Sequence, residues 1–320
     1  MKGVFLDLNT VDRDDLDLEP LLQALPEWEF FQRTEPDEIA GRVHDAEVVV
    51  TNKVFLGAEA VASAPRLRLI CTAATGTNNI DLAAADARGV PVFNARNYAT
   101  DSVVQHVFAV LLTLVTRMDD YRADIRAGRW SASDQFCLLD HPIRTLAGMH
   151  LGIVGFGVLG QATSRMAEAF GMRVTVAGSL RPDAAGADDR PALDELLPRL
   201  DVLSLHCPLT ERTRNLIDGR RIARMPQGSL LINTARGGLI EPHALADSLR
   251  AGHLGGAGID VLEPEPPPAD HPLLAPDIPN LVLTPHTAWA ARSARQNVLE
   301  EVRANIAAFL AGAPRNVVTP

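Results

Sequence analysis

Cysteine is scarce: Cys71, Cys137 and Cys207 stand far apart in 320 residues, without CxxC or His-flanked spacing. Neither a disulfide framework nor a zinc site is supported, and a reducing compartment suits such thiols. Positive charge is also short, with 30 Lys and Arg against 40 Asp and Glu and a net charge of −10. That balance disfavours the clustered basic surface that nucleic-acid binding requires. Long apolar runs are missing too. Val107 to Val115 is too short to span a bilayer, and Met1-Lys2-Gly3-Val4-Phe5-Leu6-Asp7 meets an acid before a signal-length core develops. The expectation is a cytoplasmic protein without nucleic-acid or membrane partners, and no repeat of solenoid length is present.

The length suggests about two domains, and 47% hydrophobic residues are enough for each to bury a core. Short β-branched runs alternate with helical stretches: Glu47 to Val50, Leu67 to Ile70 and Gly89 to Phe93, with Asp81 to Arg88 helical between the last two. This alternation predicts a parallel sheet with crossover helices. A second series, starting at Leu151, Arg173, Asp201, Ser229, Gly256 and Leu281, suits a doubly wound sheet. Between the two series lies Ser102 to Met118, read as a buried helix with Ser102 as N-cap. Gly128 to Pro142 follows, and its Trp130, Phe136, Leu138 and Leu139 are too apolar for a bare loop. They predict an arm that docks on a second subunit, hence a homodimer, with packing on its own domain as the alternative. Ala288 to Leu310 reads as a long helix. If it returns to the amino-terminal domain, the chain crosses between domains twice and leaves a cleft.

Gly155-Phe156-Gly157-Val158-Leu159-Gly160 follows the strand Leu151 to Val154 and opens the helical pattern Gln161 to Phe170. That context turns a weak GxGxxG match into a dinucleotide fingerprint. Gly155 permits the turn, Gly157 lets backbone approach a pyrophosphate, and Gly160 lets helix and strand pack closely, while the helix N-terminus faces the anion. About twenty residues on, an acid usually accepts the ribose hydroxyl of NAD. Here the sequence reads Gly178-Ser179-Leu180-Arg181. The hydroxyl of Ser179 and the guanidinium of Arg181 suit a 2′-phosphate better, so NADP(H) is favoured over NAD(H). His206-Cys207-Pro208, with Thr213 shortly after, ends a strand and borders the adenosine side of the site, and Cys207 reads as a packed thiol without an activating cation.

Further along stand Arg236, Glu265 and His286. A guanidinium stays charged at any working pH and offers a fork of donors matched to a 2-keto acid. An imidazole gains and loses a proton near neutrality, and an adjacent carboxylate holds its tautomer. Glu265 lies in Glu263-Pro264-Glu265-Pro266-Pro267-Pro268, where the prolines make a stiff loop. The set implies reduction of a keto acid.

With the segments Ile232 to Gly238, Asp260 to Pro266 and Thr284 to Trp289, the chain resembles the D-isomer-specific 2-hydroxyacid dehydrogenases over nearly its full length. Thr72 to Asp81 and Ser102-Val103-Val104-Gln105-His106 make it most similar to the bacterial hydroxypyruvate and glyoxylate reductases, or glycerate dehydrogenases. The resemblance implies that Arg236 binds the carboxylate and keto oxygen, that His286 gives the proton and that Glu265 hydrogen-bonds His286. It also places Thr234 and Ala235 on the cofactor and Asp260 near the nicotinamide carboxamide, or as a strand-end cap. Thr75 and Gly76 then present amides to the substrate carboxylate, with Ala74 beside them and Lys53 on a neighbouring loop. Gln105 departs from the glutamate of many relatives, and Gly178 from the ribose-binding acid.

The expected architecture is α/β, with two Rossmann-like or flavodoxin-like parallel-sheet domains flanking a cleft. Residues 1–98 and 288–320 form the flavodoxin-like substrate domain and 99–287 the Rossmann domain, with no metal. The expected activity is reduction of hydroxypyruvate or glyoxylate to D-glycerate or glycolate. Alternatives are a dinucleotide-sensing corepressor-like protein, or a phosphoglycerate, phosphite or formate dehydrogenase on the same scaffold.

Overall fold

The computed structural model describes residues 1–180 and 189–318. The chain divides into two compact units, Met1–Ala99 with Trp289–Pro320, and Thr100–Ala288.

In the first unit, strands β1 (Lys2–Phe5), β2 (Glu27–Phe30), β3 (Val48–Thr51), β4 (Leu69–Thr72) and β5 (Val92–Asn94) form a parallel sheet in the order β2-β1-β3-β4-β5. Short helices α1 (Glu19–Leu22), α2 (Ile39–Val43), α3 (Ala58–Ala62) and α4 (Leu82–Ala87) lie on the connections. Every residue of β3 is buried, as expected for a strand covered on both faces. Val48 and Val50 enter one core cluster with Phe5 and Phe93, whereas Val49 enters another with Val4 and Ile70. β1 and β2 lie outside the runs expected to be strands, and β4 begins at Leu69, two residues after the expected Leu67. β2 alternates half-buried and exposed positions at the sheet edge, so Glu27-Trp28-Glu29-Phe30 shows no apolar run.

In the second unit, β6 (His150–Val154), β7 (Arg173–Val176), β8 (Val202–Leu205), β9 (Leu230–Asn233), β10 (Gly256–Ile259) and β11 (Leu281–Leu283) form a parallel sheet in the order β11-β10-β9-β8-β6-β7. Among the described residues its helices include α5 (Thr100–Thr116), α6 (Met118–Arg126), α7 (Val158–Ala169), α8 (Leu193–Leu196), α9 (Gly219–Ile222) and α10 (Pro242–Arg250). From β7 at the edge the chain returns to β8 beside β6, which makes the carboxyl ends of β6 and β8 the switch point where doubly wound sheets bind ligands. α5 buries Val104, Val107, Phe108, Val110 and Leu111 on one face of this sheet. Ser102 is not its N-cap: the helix starts two residues earlier at Thr100, and the Ser102 hydroxyl donates to the Ala288 carbonyl at 2.6 Å. Among the described residues no single helix is long and apolar enough to cross a membrane.

After α6, Trp130, Phe136 and Leu139 of the arm are exposed, Phe136 by 89%. The arm is tied back to α6 at Asp124, whose carboxylate lies 2.8 Å from His141 Nε2 and accepts from Arg129 at 2.8 Å. The last helix, α11 (Arg292–Leu310), belongs to the first unit, where Val298, Val302 and Ile306 recur every four residues and cover the face lined by Phe5, Val48 and Phe93.

α5 can lie so close to its sheet because β10 carries Gly258. A Cβ there would overlap Val110 Cγ1 and stand 3.0 Å from Ile232 Cδ1. Overpacking of this kind costs about 1–3 kcal/mol. Gly258→Ala is therefore expected to lower the unfolding free energy in denaturant titrations by that amount, and an unchanged midpoint would contradict the packing.

Candidate active site

Arg236, Glu265 and His286 each follow the carboxyl end of a strand. β6 runs into Gly155, whose φ of +91° and a virtual Cβ only 2.6 Å from the His206 carbonyl leave room for glycine alone. At Gly160 a Cβ would overlap the Gly155 oxygen, so α7 is seated on the turn. Gly157 caps α7 and faces open space, with Phe156 and Val158 exposed and Leu159 beside it. A helix N-terminus bared in this way offers amides to an anion.

At the end of β8, His206 Nε2 lies 2.8 Å from the buried Ser204 hydroxyl, while Nδ1 is out of solvent contact and has no hydrogen-bond partner among the described residues. Burial pushes this imidazole down to about 4, so it is neutral in working buffers. At the end of β9, the Thr234 hydroxyl is likewise buried and unpartnered. Orphaned polar atoms are costly unless a ligand completes them. Together with the open glycine turn they fit a dinucleotide.

Of the other expected cofactor contacts, Cys207 is buried, which raises its thiol to about 11 and rules out a nucleophile. Pro208 is exposed, and its carbonyl accepts from the Thr213 hydroxyl at 2.8 Å. The same hydroxyl accepts from the Thr210 amide at 2.7 Å, so Thr213 closes its own loop. Ser179 is half-buried, and Arg181 lies outside the described residues. At Gly178, where a ribose-binding acid would stand, the amide donates to the Pro191 carbonyl at 2.8 Å, and a Cβ would press on the Arg190 oxygen at 3.2 Å.

Arg236 follows β9 and is half-buried, with Nη1 donating to the Ala235 carbonyl at 2.7 Å. Its loop is shaped by Asn233, fully buried, which donates to the Arg236 carbonyl at 2.8 Å and accepts from the Ala235 amide at 3.0 Å. The sequence reading gave Asn233 no role. A polar residue closing the apolar strand Leu230-Leu231-Ile232 was the available signal.

Glu265 follows β10 and His286 follows β11, and the structure joins them. Nδ1 of His286 lies 2.6 Å from Glu265 Oε2, while Oε1 accepts the Leu262 amide at 2.9 Å. An ionised carboxylate only accepts, so Nδ1 carries the hydrogen and Nε2 is the atom left for chemistry. His286 has φ +54°, in the left-handed region. Asp260, 2% exposed, holds that shape: Oδ1 takes the Thr284 hydroxyl at 2.6 Å and the Thr287 amide at 2.8 Å, Oδ2 takes the Ala288 amide at 2.9 Å, and its carbonyl takes the His286 amide at 2.7 Å. Both oxygens of Asp260 thus brace the His286 loop.

In the first unit, the carboxylate of Asp7 at the end of β1 accepts the amides of Asn52, Lys53 and Val54 at 2.9, 2.6 and 3.1 Å. Burial raises this carboxyl above its usual range, although the three amides pull the other way. Lys53 is exposed on the loop so fixed. After β4, Ala74 is buried and Gly76 half-buried, while the exposed Thr75 donates its hydroxyl to the Ala95 carbonyl at 2.9 Å.

The sequence profile of the D-isomer-specific 2-hydroxyacid dehydrogenase NAD-binding domain matches residues 108–288. A glycerate dehydrogenase of Methylorubrum extorquens is 41% identical over 99% of this chain and 98% of its own. The chain belongs to the D-isomer-specific 2-hydroxyacid dehydrogenases. A hydroxypyruvate reductase of Blautia hydrogenotrophica is 36% identical over 99% of both chains. The crystal structure of the TT0316 protein from Thermus thermophilus superposes with a TM-score of 0.86 at 34% identity, over 99% of this chain and all of that one. The protein is thus a D-2-hydroxyacid dehydrogenase that uses a nicotinamide dinucleotide.

His206 supplies a check on the cofactor-side packing. Its imidazole titrates near 4 when folded and near 6.5 in a free side chain. Protonation therefore favours the unfolded chain, so this stability is complete above pH 6.5 and is lost as the pH falls from 6.5 towards 4. Between about pH 7 and pH 5, wild type should lose about 1–2 kcal/mol more unfolding free energy than His206→Gln. Equal losses in urea titrations would show that His206 is not buried in this way.

Proposed function

We propose that the enzyme reduces hydroxypyruvate or glyoxylate to D-glycerate or glycolate, with NADPH as the favoured donor and NADH as the alternative. The observation that carries this reading is the 2.6 Å pairing of His286 Nδ1 with Glu265, which follow the consecutive strands β11 and β10, with Arg236 after the next strand, β9. The names of the relatives, glycerate dehydrogenase and hydroxypyruvate reductase, support the small hydroxylated substrate. Gly178, in the place of an acid that would repel a 2′-phosphate, supports NADPH.

The guanidinium of Arg236 grips the carboxylate and keto oxygen, polarises the carbonyl and stays charged throughout. Glu265 stabilises the imidazolium of His286, whose Nε2–H passes its proton to the keto oxygen and takes one back when the reaction runs in reverse. A bound dihydronicotinamide supplies the hydride. The amides of Thr75 and Gly76, with Ala74 and Lys53, complete the hold on the carboxylate. On the cofactor, the α7 N-terminus at Gly155, Gly157, Val158, Leu159 and Gly160 takes the pyrophosphate. Ser179 and Arg181 take the ribose phosphate, and His206, Cys207, Pro208, Thr213, Thr234, Ala235 and Asp260 line the remainder. The exposed arm of Trp130, Phe136 and Leu139 docks on a second copy to give a cytoplasmic homodimer.

Initial rates with hydroxypyruvate, glyoxylate and pyruvate, each with NADPH and NADH, test this reading. NADPH with one of the first two acids should be turned over best, and His286→Ala should lower kcat on the order of 10²–10⁴-fold. Failure to oxidise NADPH with any of the three acids, or a His286→Ala rate near wild type, would refute it.

A further inference from the structure

His106, in α5, takes no part in the chemistry described above, yet it reaches the scaffold of the acid. Val110, one helical turn further on the same face of α5, packs into the gap left by Gly258 of β10. That close approach brings His106 to the end of β10, where Nε2 lies 3.0 Å from Thr284 Oγ1 and 3.6 Å from Asp260 Oδ1. One turn before it, Ser102 donates to the Ala288 carbonyl at 2.6 Å. Two side chains of one helix face therefore anchor both ends of the 284–288 loop that carries His286.

Hydrogen counting fixes the direction of the chain. The Thr284 hydroxyl has a single hydrogen, and its 2.6 Å contact with the Asp260 carboxylate, which only accepts, uses it. The Thr284 oxygen must then accept from His106, so His106 carries its proton on Nε2. The relay runs from His106 Nε2–H to Thr284 Oγ–H to Asp260 Oδ1, and Asp260 in turn holds the amides of Thr287 and Ala288. A non-glycine residue in the left-handed region persists only where its surroundings over-determine it. His286, at φ +54°, is such a residue.

We propose that His106 is a positioning residue for the acid His286, acting through Thr284 and Asp260. This rests on the reading of His286 as the proton donor. Loss of the relay lets the 284–288 loop relax, and the imidazole leaves its aim while the glycine turn of the cofactor site is untouched. Turnover should fall far more than cofactor affinity.

The experiment measures kcat, KM for hydroxypyruvate and Kd for NADPH in His106→Leu, His106→Gln, Thr284→Val and the double variant His106→Leu with Thr284→Val. His106→Leu and Thr284→Val should each lower kcat roughly 10- to 100-fold, with a far smaller effect on Kd for NADPH. The double variant should be no worse than the poorer single, because both break one relay. His106→Gln, which puts an amide N–H near the place of Nε2–H, should recover most of the loss. A His106→Leu kcat equal to wild type, losses that multiply in the double variant, or a His106→Gln rate no better than that of His106→Leu would overturn the proposal. If His106→Leu fails to fold, Thr284→Ser, which keeps the hydroxyl, should stay well above Thr284→Val, and equal losses would overturn it. His286→Ala separates the two readings. A rate near wild type removes the acid assignment itself, whereas an inactive His286→Ala beside a fully active His106→Leu removes only the positioning role.

Discussion

Asp260 is a carboxylate out of contact with water, and a buried charge is tolerated only when donors surround it. Those donors are the Thr284 hydroxyl and the Thr287 and Ala288 amides, so the electrostatic need of one side chain dictates the path of the whole loop. His286 stands on that loop in a backbone conformation it would not choose alone. With the main chain set, the 2.6 Å bond to Glu265 sets the ring, and Nε2 is left with one direction to face. His286 is thus held from two sides, by backbone through Asp260 and by side chain through Glu265.

The same logic holds across the second sheet. Parallel strands deliver their carboxyl ends to one edge, so β6, β8, β9, β10 and β11 each end in a turn that carries a residue of the proposed site. Glycine and small residues at those ends let backbones meet, as at Gly155 against His206. Polar atoms that the protein leaves unmatched, His206 Nδ1 and the Thr234 hydroxyl, lie on the same edge as the open N-terminus of α7. Asn233 and Asp7 act comparably at other strand ends, each using a buried side chain to bind neighbouring amides and hold a loop.

Central parallel strands such as Val48-Val49-Val50 announce themselves in the sequence, because both faces are covered and every residue is apolar. An edge strand such as Glu27 to Phe30 does not, since alternation with charge over four residues resembles a loop. The glycine turn, the Arg236 loop and the Glu265–His286 pair were legible because each sits in a local motif with its own chemistry. What the sequence concealed is partnership across distance. His106 and Thr284 lie 178 positions apart, and nothing in the neighbourhood of either states that they touch. Ser102 misled for a related reason: it resembles a helix cap, but its hydroxyl serves Ala288 far along the chain.

The most direct measurement is a crystal structure of the enzyme with NADP(H) and oxamate, an unreactive mimic of a 2-keto acid. The oxamate carboxylate and carbonyl oxygens are expected on the Arg236 guanidinium, with the carbonyl oxygen also on His286 Nε2 and with Nδ1 still on Glu265. Oxamate bound away from Arg236 and His286, or a His286 ring turned from Glu265 in the complex, would contradict the assignment of guanidinium clamp and imidazole acid.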